Sequence, residues 1–268
     1  MDGPSSVRVG TSAFTAAGWP GSFYPEGVPP REYLAYYAQK FDTVELDNTF
    51  YRTPAISTVR GWYEKTPSNF LFAAKVPQII THEKLLVDVK DDLAEFLRAM
   101  DTLGEKLGPL LFQFPYLNRS KFKSGEEFVA RLRAFLKTLP KGYRFAVEVR
   151  NKSWLDASLA DALRERGVAL ALVDHVWMPR PAAVFAKFDP LTADFAYIRL
   201  LGDRKGIEEK TKTWDRVIVD RSAELAEWAE ICKKIAKRKI QILVFANNHY
   251  AGCGFSTAES FRKLLASA

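Results

Sequence analysis

Arg144-Phe145-Ala146-Val147-Glu148-Val149-Arg150 is a short apolar run that carries charge at alternate places near its end. In an extended chain, Phe145, Val147 and Val149 fall on one side, and Glu148 and Arg150 on the other. Seven further runs of the same length class lie along the chain: Val7–Ser12, Thr43–Asp47, Leu71–Val76, Leu110–Phe114, Ala169–Asp174, Ala196–Leu201 and Gln241–Asn247. Amphipathic stretches separate them. Tyr33, Leu34, Tyr37 and Phe41 make one apolar face, and Leu93, Phe96, Leu97 and Met100 another. Phe128, Leu132, Phe135, Leu136 and Leu139 follow, and Leu225, Trp228, Cys232 and Ile235 repeat at helical spacing. Strands alternating with helices argue for a parallel sheet with helical crossovers.

Eight such units in 268 residues fit a single (β/α)8 TIM barrel, a fold of about 250 residues. An open doubly wound sheet is the competing architecture. It often carries a Gly-rich nucleotide loop after its first strand, and Gly10-Thr11-Ser12-Ala13-Phe14 lacks one. The stretch from Asp174 to Ala196 is the least regular unit. Pro179, Pro181 and Pro190 there predict a long loop in place of a full helix.

In a barrel, alternate strand residues point inward. Parity sends Glu45, Asp47, Lys75, Gln113, Glu148, Arg150, Tyr197 and Arg199 to the inside. Asp174 closes the sixth strand, and Asn247 and Asn248 the eighth. Nearly all of these lie at the carboxyl ends of their strands, where barrel enzymes build their sites. Four acids (Glu45, Asp47, Glu148, Asp174) face three bases (Lys75, Arg150, Arg199), close to balance. Such a cluster is either a paired polar plug or a working pocket. The working pocket makes Glu45, Lys75, Glu148 and Asp174 the catalytic candidates. Asp47, Tyr51, His82, Gln113, Arg150, Tyr197, Arg199, Asn247 and Asn248 are then the substrate-binding ones.

Composition narrows the function. The chain carries 39 basic and 32 acidic residues, a net +7, compatible with an anionic partner. No apolar run approaches the ~20 residues of a membrane span, and Met1–Ser6 has no secretory character. Two cysteines, Cys232 and Cys253, are too few for a disulfide scaffold, so the expectation is a reduced, cytoplasmic protein. Three histidines, His82, His175 and His249, are too few for a zinc cluster, so neither metal nor cofactor is expected. A single hard cation on Glu45, Glu148 and Asp174 would compete with Lys75, Arg150 and Arg199. Phosphate could instead bind the loops after strands seven and eight, through Gly202, Arg204, Gly252 and Gly254. There, Ser256-Thr257-Ala258-Glu259 reads as a capping box. Aromatics Phe14, Trp19, Phe23, Tyr24, Phe50, Tyr51, Tyr116 and Trp177 fall in or near the loops, where they could stack on a sugar or a base.

The chain also resembles a known family. The resemblance is carried by Phe23-Tyr24-Pro25, Tyr36-Tyr37-Ala38, Phe41, Val44-Glu45, Thr49-Phe50-Tyr51, Trp62 and Thr66-Pro67. It continues through Phe72-Ala73-Ala74-Lys75, Thr81-His82, Phe112-Gln113-Phe114-Pro115, Val147-Glu148-Val149-Arg150, Ser153-Trp154, Tyr197-Ile198-Arg199-Leu200 and Asn247-Asn248. Across about residues 7–265 the chain is similar to the YecE-like family, domain of unknown function 72. The resemblance implies a TIM barrel, loosely related to xylose-isomerase-like and endonuclease-IV-like barrels, and no settled reaction. Asp47 stands where that pattern commonly has Asn, and Asn151 and Leu201 where it commonly has His.

Two functions follow from these residues. One is an enzyme, a hydrolase, lyase or isomerase, acting on a small polar, sugar-like or phosphorylated molecule. The other is a non-catalytic nucleic-acid-binding protein that uses the basic barrel mouth. The distribution of charge discriminates them, since nucleic acid needs a basic groove wider than the pocket.

Overall fold

The computed structural model describes residues 7–266. The leader reading of Met1–Ser6 therefore lies outside the described residues. Eight strands run in chain order: β1 (Val7–Thr11), β2 (Thr43–Leu46), β3 (Leu71–Lys75), β4 (Leu107–Gln113), β5 (Phe145–Glu148), β6 (Ala169–His175), β7 (Phe195–Gly202) and β8 (Gln241–Ala246). Every ladder is parallel, in the order β1-β8-β7-β6-β5-β4-β3-β2. The helices are α1 (Tyr33–Lys40), α2 (Ile56–Glu64), α3 (Lys90–Met100), α4 (Gly125–Leu136) and α5 (Ala157–Arg164). They continue with α6 (Pro181–Lys187), α7 (Arg204–Glu208), α8 (Ser222–Ala236), α9 (Asn248–Ala251) and α10 (Gly254–Ala266). This is the (β/α)8 TIM barrel the alternation predicts.

Two apolar layers result from strand parity. Outward residues such as Val44, Phe72, Phe112, Val147 and Ile198 pack against the helices. Inward residues Ala73, Leu111, Ala146, Ala169, Ala171, Phe195, Tyr197, Leu243 and Phe245 fill the barrel's lower interior. Small alanines beside large rings let the inward side chains interdigitate. Above this layer charged side chains replace the apolar ones; at its other end Arg144 lies over the Phe195 ring, 4.2 Å from its centre.

Among the described residues β1 and β2 share no backbone ladder, and side chains close the seam between them. The fully buried Tyr37 hydroxyl accepts from Thr11 N at 3.0 Å and donates to the Thr43 carbonyl at 3.1 Å. Arg8 Nη1, at the other end of β1, donates to the Asp42 carbonyl at 3.1 Å and also to the Asn69 carbonyl. Gly10 lets the strands approach: a Cβ there would stand 2.1 Å from the Thr43 carbonyl oxygen.

The structure differs from expectation in three local places. The stretch read as a loop contains α6, because Pro181 occupies the first helical position, where its missing N–H costs nothing. Strand β4 starts at Leu107, not Leu110; Gly108 is there because a Cβ would stand 2.8 Å from the Phe72 carbonyl. Ser256 is not a helix cap: α10 begins at Gly254, whose N–H is held by Asn248 Oδ1 at 2.8 Å.

The seam gives the first prediction. Tyr37→Phe leaves a buried N–H and a buried carbonyl without their partner, at a cost of ~1–3 kcal/mol. Urea unfolding should show that loss without a change in slope. A loss below the error of the measurement would show that the seam does not need the hydroxyl.

Candidate active site at the carboxyl ends of the strands

Arg199 on β7 is the centre of the polar interior. It is only 2% exposed. A guanidinium there is tolerable only if it is paired and hydrogen-bonded. Its Nε and Nη2 donate to Glu45 Oε1 at 3.1 and 2.7 Å, its Nη1 to Glu148 Oε2 at 2.8 Å, and Nη2 also reaches Asp47 Oδ1 at 3.2 Å. Tyr197 donates its hydroxyl to Glu45 Oε2, and Arg150 donates Nε to Glu148 Oε1. Glu45 and Glu148 are fully buried. Burial works against an ionised Glu148, yet Arg150 and Arg199 overcome it and hold the carboxyl at about 2. Burial likewise disfavours a charged Arg199, and Glu45, Glu148 and Asp47 hold it well above its ordinary value. The floor of the site is thus a closed ion network.

Above it opens a cavity of about 450 Å³, lined by Asp47, Phe50, Tyr51, Lys75, His82, Gln113, Arg150, His175, Arg199, Leu201, Arg204, Asn247 and His249. Lys75 Nζ stands 3.7 Å from Asp47 Oδ1 and 4.0 Å from the centre of the Phe50 ring. The Asp47 side chain is 30% exposed. Burial and the neighbouring Glu45 push Asp47 up to about 6, against the pull of Arg199 and Lys75. Burial lowers Lys75, with Asp47 opposing. Gln113 Nε2 donates to the Phe114 carbonyl at 2.6 Å. His249 bonds Asn247 Oδ1 through Nδ1 at 2.7 Å and Glu208 Oε1 through Nε2 at 3.0 Å, linking α9 to α7.

Most candidates converge here: Asp47, Tyr51, Lys75, His82, Gln113, Arg150, Arg199, Arg204 and Asn247 line the cavity, and Glu45, Glu148 and Tyr197 build its floor. Asp174 does not join them. It faces outward, where Trp228 Nε1, the Tyr250 hydroxyl and Arg180 Nη1 bond its oxygens at 2.8, 2.9 and 2.7 Å. Without it, three acids meet three bases. Glu45, Glu148 and Asp174 therefore cannot share one cation, and among the described residues no three His, Cys, Asp or Glu side chains gather to hold a metal. Asn248 serves α10 as its cap. Gly202, with φ +67°, lets the end of β7 press on α9: a Cβ would stand 2.6 Å from the His249 carbonyl oxygen. The N–H of Gly252 is bonded to the Asn248 carbonyl at 2.8 Å and that of Gly254 to Asn248 Oδ1. Trp19, Phe23 and Tyr24 pack in a buried aromatic cluster with Phe255. Tyr51, Tyr116 and Trp177 are exposed.

Phe50, one of the candidate stacking aromatics, lines the cavity, and so do His175, Leu201 and His249, which were not among the catalytic or binding candidates. Strand-end position was the available signal for His175, the last residue of β6, and Leu201, the last but one of β7.

Fold and site together define a TIM-barrel protein with its polar pocket at the carboxyl ends of the strands. The chain belongs to the family described as protein of unknown function DUF72, whose model matches residues 8–268. It is 31% identical over 160 residues to the UPF0759 protein YecE of Escherichia coli K12, and that match spans 56% of this chain and 57% of the relative's length. It is 32% identical over 139 residues to the UPF0759 protein YunF of Bacillus subtilis, covering 50% of this chain and 48% of that protein. The chain thus spans about half the length of these curated relatives in the matched region. A crystal structure of a DUF72 family protein from Thermotoga maritima is similar at a TM-score of 0.75 with 30% identity, covering 97% of this chain and 99% of that one. Another, from Enterococcus faecalis, has the same fold at a TM-score of 0.71 and 22% identity, over 99% of both chains.

The ion network predicts that Glu148→Gln leaves Arg199 and Arg150 undercompensated. The expected loss is ~3–5 kcal/mol by denaturant unfolding. Asp174→Asn should lower stability without altering ligand binding in the cavity, since its partners all lie outside the barrel. A Glu148→Gln protein as stable as the parent would contradict the closed network.

Proposed function

We propose that this chain is an enzyme acting on a small polar, sugar-like or phosphorylated substrate in the strand-end cavity, with Asp47 as its proton-transfer group. The observation that carries this reading is the contrast among the three acids. Glu45 and Glu148 are sealed around Arg199. Asp47 faces the cavity, and its carboxyl titrates at about 6, near the working range of a general base. At pH 7 it is mostly ionised and accepts a proton from substrate. Lys75 beside it polarises a carbonyl or holds an anionic group, and Arg150 and Asn247 orient the molecule. Proton abstraction of this kind serves hydrolysis, elimination and isomerisation alike.

Charge supports a metabolite over nucleic acid. The depression next to the cavity is lined by three bases, Arg204, Lys205 and Lys212, and three acids, Asp203, Glu208 and Glu209. A polyanion groove needs an excess of bases. Among the described residues no helix is long and apolar enough to cross a membrane.

The test is Asp47→Asn, assayed against a panel of phosphorylated and sugar-like metabolites chosen by thermal shift. The expected result is retained ligand binding and a loss of turnover of about 10²-fold or more. In the parent, turnover should fall as pH drops through about 6, and the variant should lack that inflection. Stability separates the role from a structural one. The folded state holds the Asp47 proton more tightly than the unfolded chain does, so its stabilisation is complete below about pH 4 and is lost as pH rises through about 6. Asp47→Asn should therefore melt no lower than the parent at pH 7.5. A variant that turns over normally would remove Asp47 from the chemistry.

A further inference from the structure

Four basic side chains share the cavity wall with Asp47. Lys75 ends β3, His82 lies on the turn Ile79–Glu83 that follows it, Arg150 lies just past β5, and His175 ends β6. All four face the same space. Arg150 commits Nε to Glu148, and that bond leaves both terminal nitrogens of its fork available. The Thr81 hydroxyl is fully buried and bonds His82 Nδ1 at 2.8 Å. A Thr81 hydroxyl that donates to Nδ1 leaves the His82 proton on Nε2, the tautomer that an anion in the cavity selects. His175 Nδ1 accepts the Trp177 N–H at 3.3 Å, which again puts the ring proton on Nε2. Each histidine thereby offers an N–H in addition to the two fixed positive charges.

We propose that Lys75, His82, Arg150 and His175 form an oxyanion site that seats the phosphate group of a phosphorylated small molecule. The proposal rests on reading this cavity as the active site, and it narrows the substrate to phosphomonoesters. A planar carboxylate would satisfy the Arg150 fork alone. Donors arriving from β3, the turn after it, β5 and β6 call for acceptor oxygens pointing several ways, as on a tetrahedral dianion. Both imidazoles are neutral at pH 7. Burial leads in lowering each to about 4; Lys75 and Arg150 add to it at His82, and Arg150 at His175, where Glu148, Asp203 and Asp174 oppose.

Charge balance adds a consequence. Glu45, Asp47 and Glu148 already neutralise Lys75, Arg150 and Arg199, so a bound dianion brings two uncompensated charges. Protonation of Asp47, His82 or His175 offsets them, and binding takes up protons. Affinity should therefore rise as pH falls.

Isothermal titration of the purified chain with sulfate tests this, because sulfate keeps its two charges across the range while phosphate titrates within it. Inorganic phosphate and acetate, at matched ionic strength, are the companions. Sulfate and phosphate should bind, with acetate about tenfold weaker or undetectable. Sulfate should bind about tenfold more tightly at pH 6 than at pH 8, as uptake of one proton permits. Lys75→Met should weaken sulfate at least tenfold. His82→Gln and His175→Gln, which keep polarity and approximate size, should each weaken it several-fold. Absence of sulfate binding, affinity that these substitutions leave unchanged, or equal affinity for acetate would overturn the oxyanion site. Asp47→Asn distinguishes the two proposals, since it should keep sulfate. If sulfate binds as described while the Asp47→Asn protein turns over normally, the oxyanion site stands and the assignment of Asp47 falls.

Discussion

A guanidinium with almost no access to water must be matched by carboxylates, and Arg199 imposes that condition on the barrel. Its position on β7 requires acceptors on strands that face it. Glu45 and Glu148, from β2 and β5, supply them at 2.7 and 2.8 Å. Arg199 and Arg150 together keep the buried Glu148 ionised, and the arginine could not remain buried without its carboxylates. Such a network is weak evidence of stability, because well-packed apolar groups would do as well. What it provides is geometry. It ties three strands at one height, seals the apolar interior below, and gives the cavity a rigid floor.

The side chains above the floor are freer. Asp47 and Lys75 pair only loosely at 3.7 Å, Arg150 keeps part of its fork open, and Asn247, His249 and Glu208 form a separate chain of bonds on the other side. The two carboxyls behave differently: Glu148 is held at about 2 and Asp47 at about 6. Burial raises both; two bonded arginines overcome it at Glu148, whereas Asp47 has Glu45 beside it and weaker pulls from Arg199 and Lys75. A pair of acids pushed apart in this way is the pattern expected where one carboxylate is structural and another moves protons.

Much of this arrangement was legible in the sequence, because strand parity is a strict two-residue rule. Glu45, Lys75, Glu148, Arg150 and Arg199 stand at inward positions of apolar strands, and one register satisfies all of them. Asp174 was misread for a local reason. Parity with the inward Ala169 and Ala171 sends it to the helix-facing side and His175 inward; its place at the strand end, and not parity, made it a candidate. The α6 helix was hidden because proline marks both a break and a helix start. The glycines after β7 and β8 resembled an anion loop, but their N–H groups and left-handed backbone serve α9 and α10. The closure of β1 on β2 by Tyr37 leaves no local pattern at all: the contact joins residues far apart in the chain, through one hydroxyl.

The division between a sealed floor and a titrating group above it can be read directly by carboxyl carbon NMR across a pH series. Glu148 should remain ionised down to about 2 and Asp47 should titrate at about 6 in the same sample. If both titrated together near pH 4, the ordinary carboxylate range, the buried network around Arg199 would not exist as described.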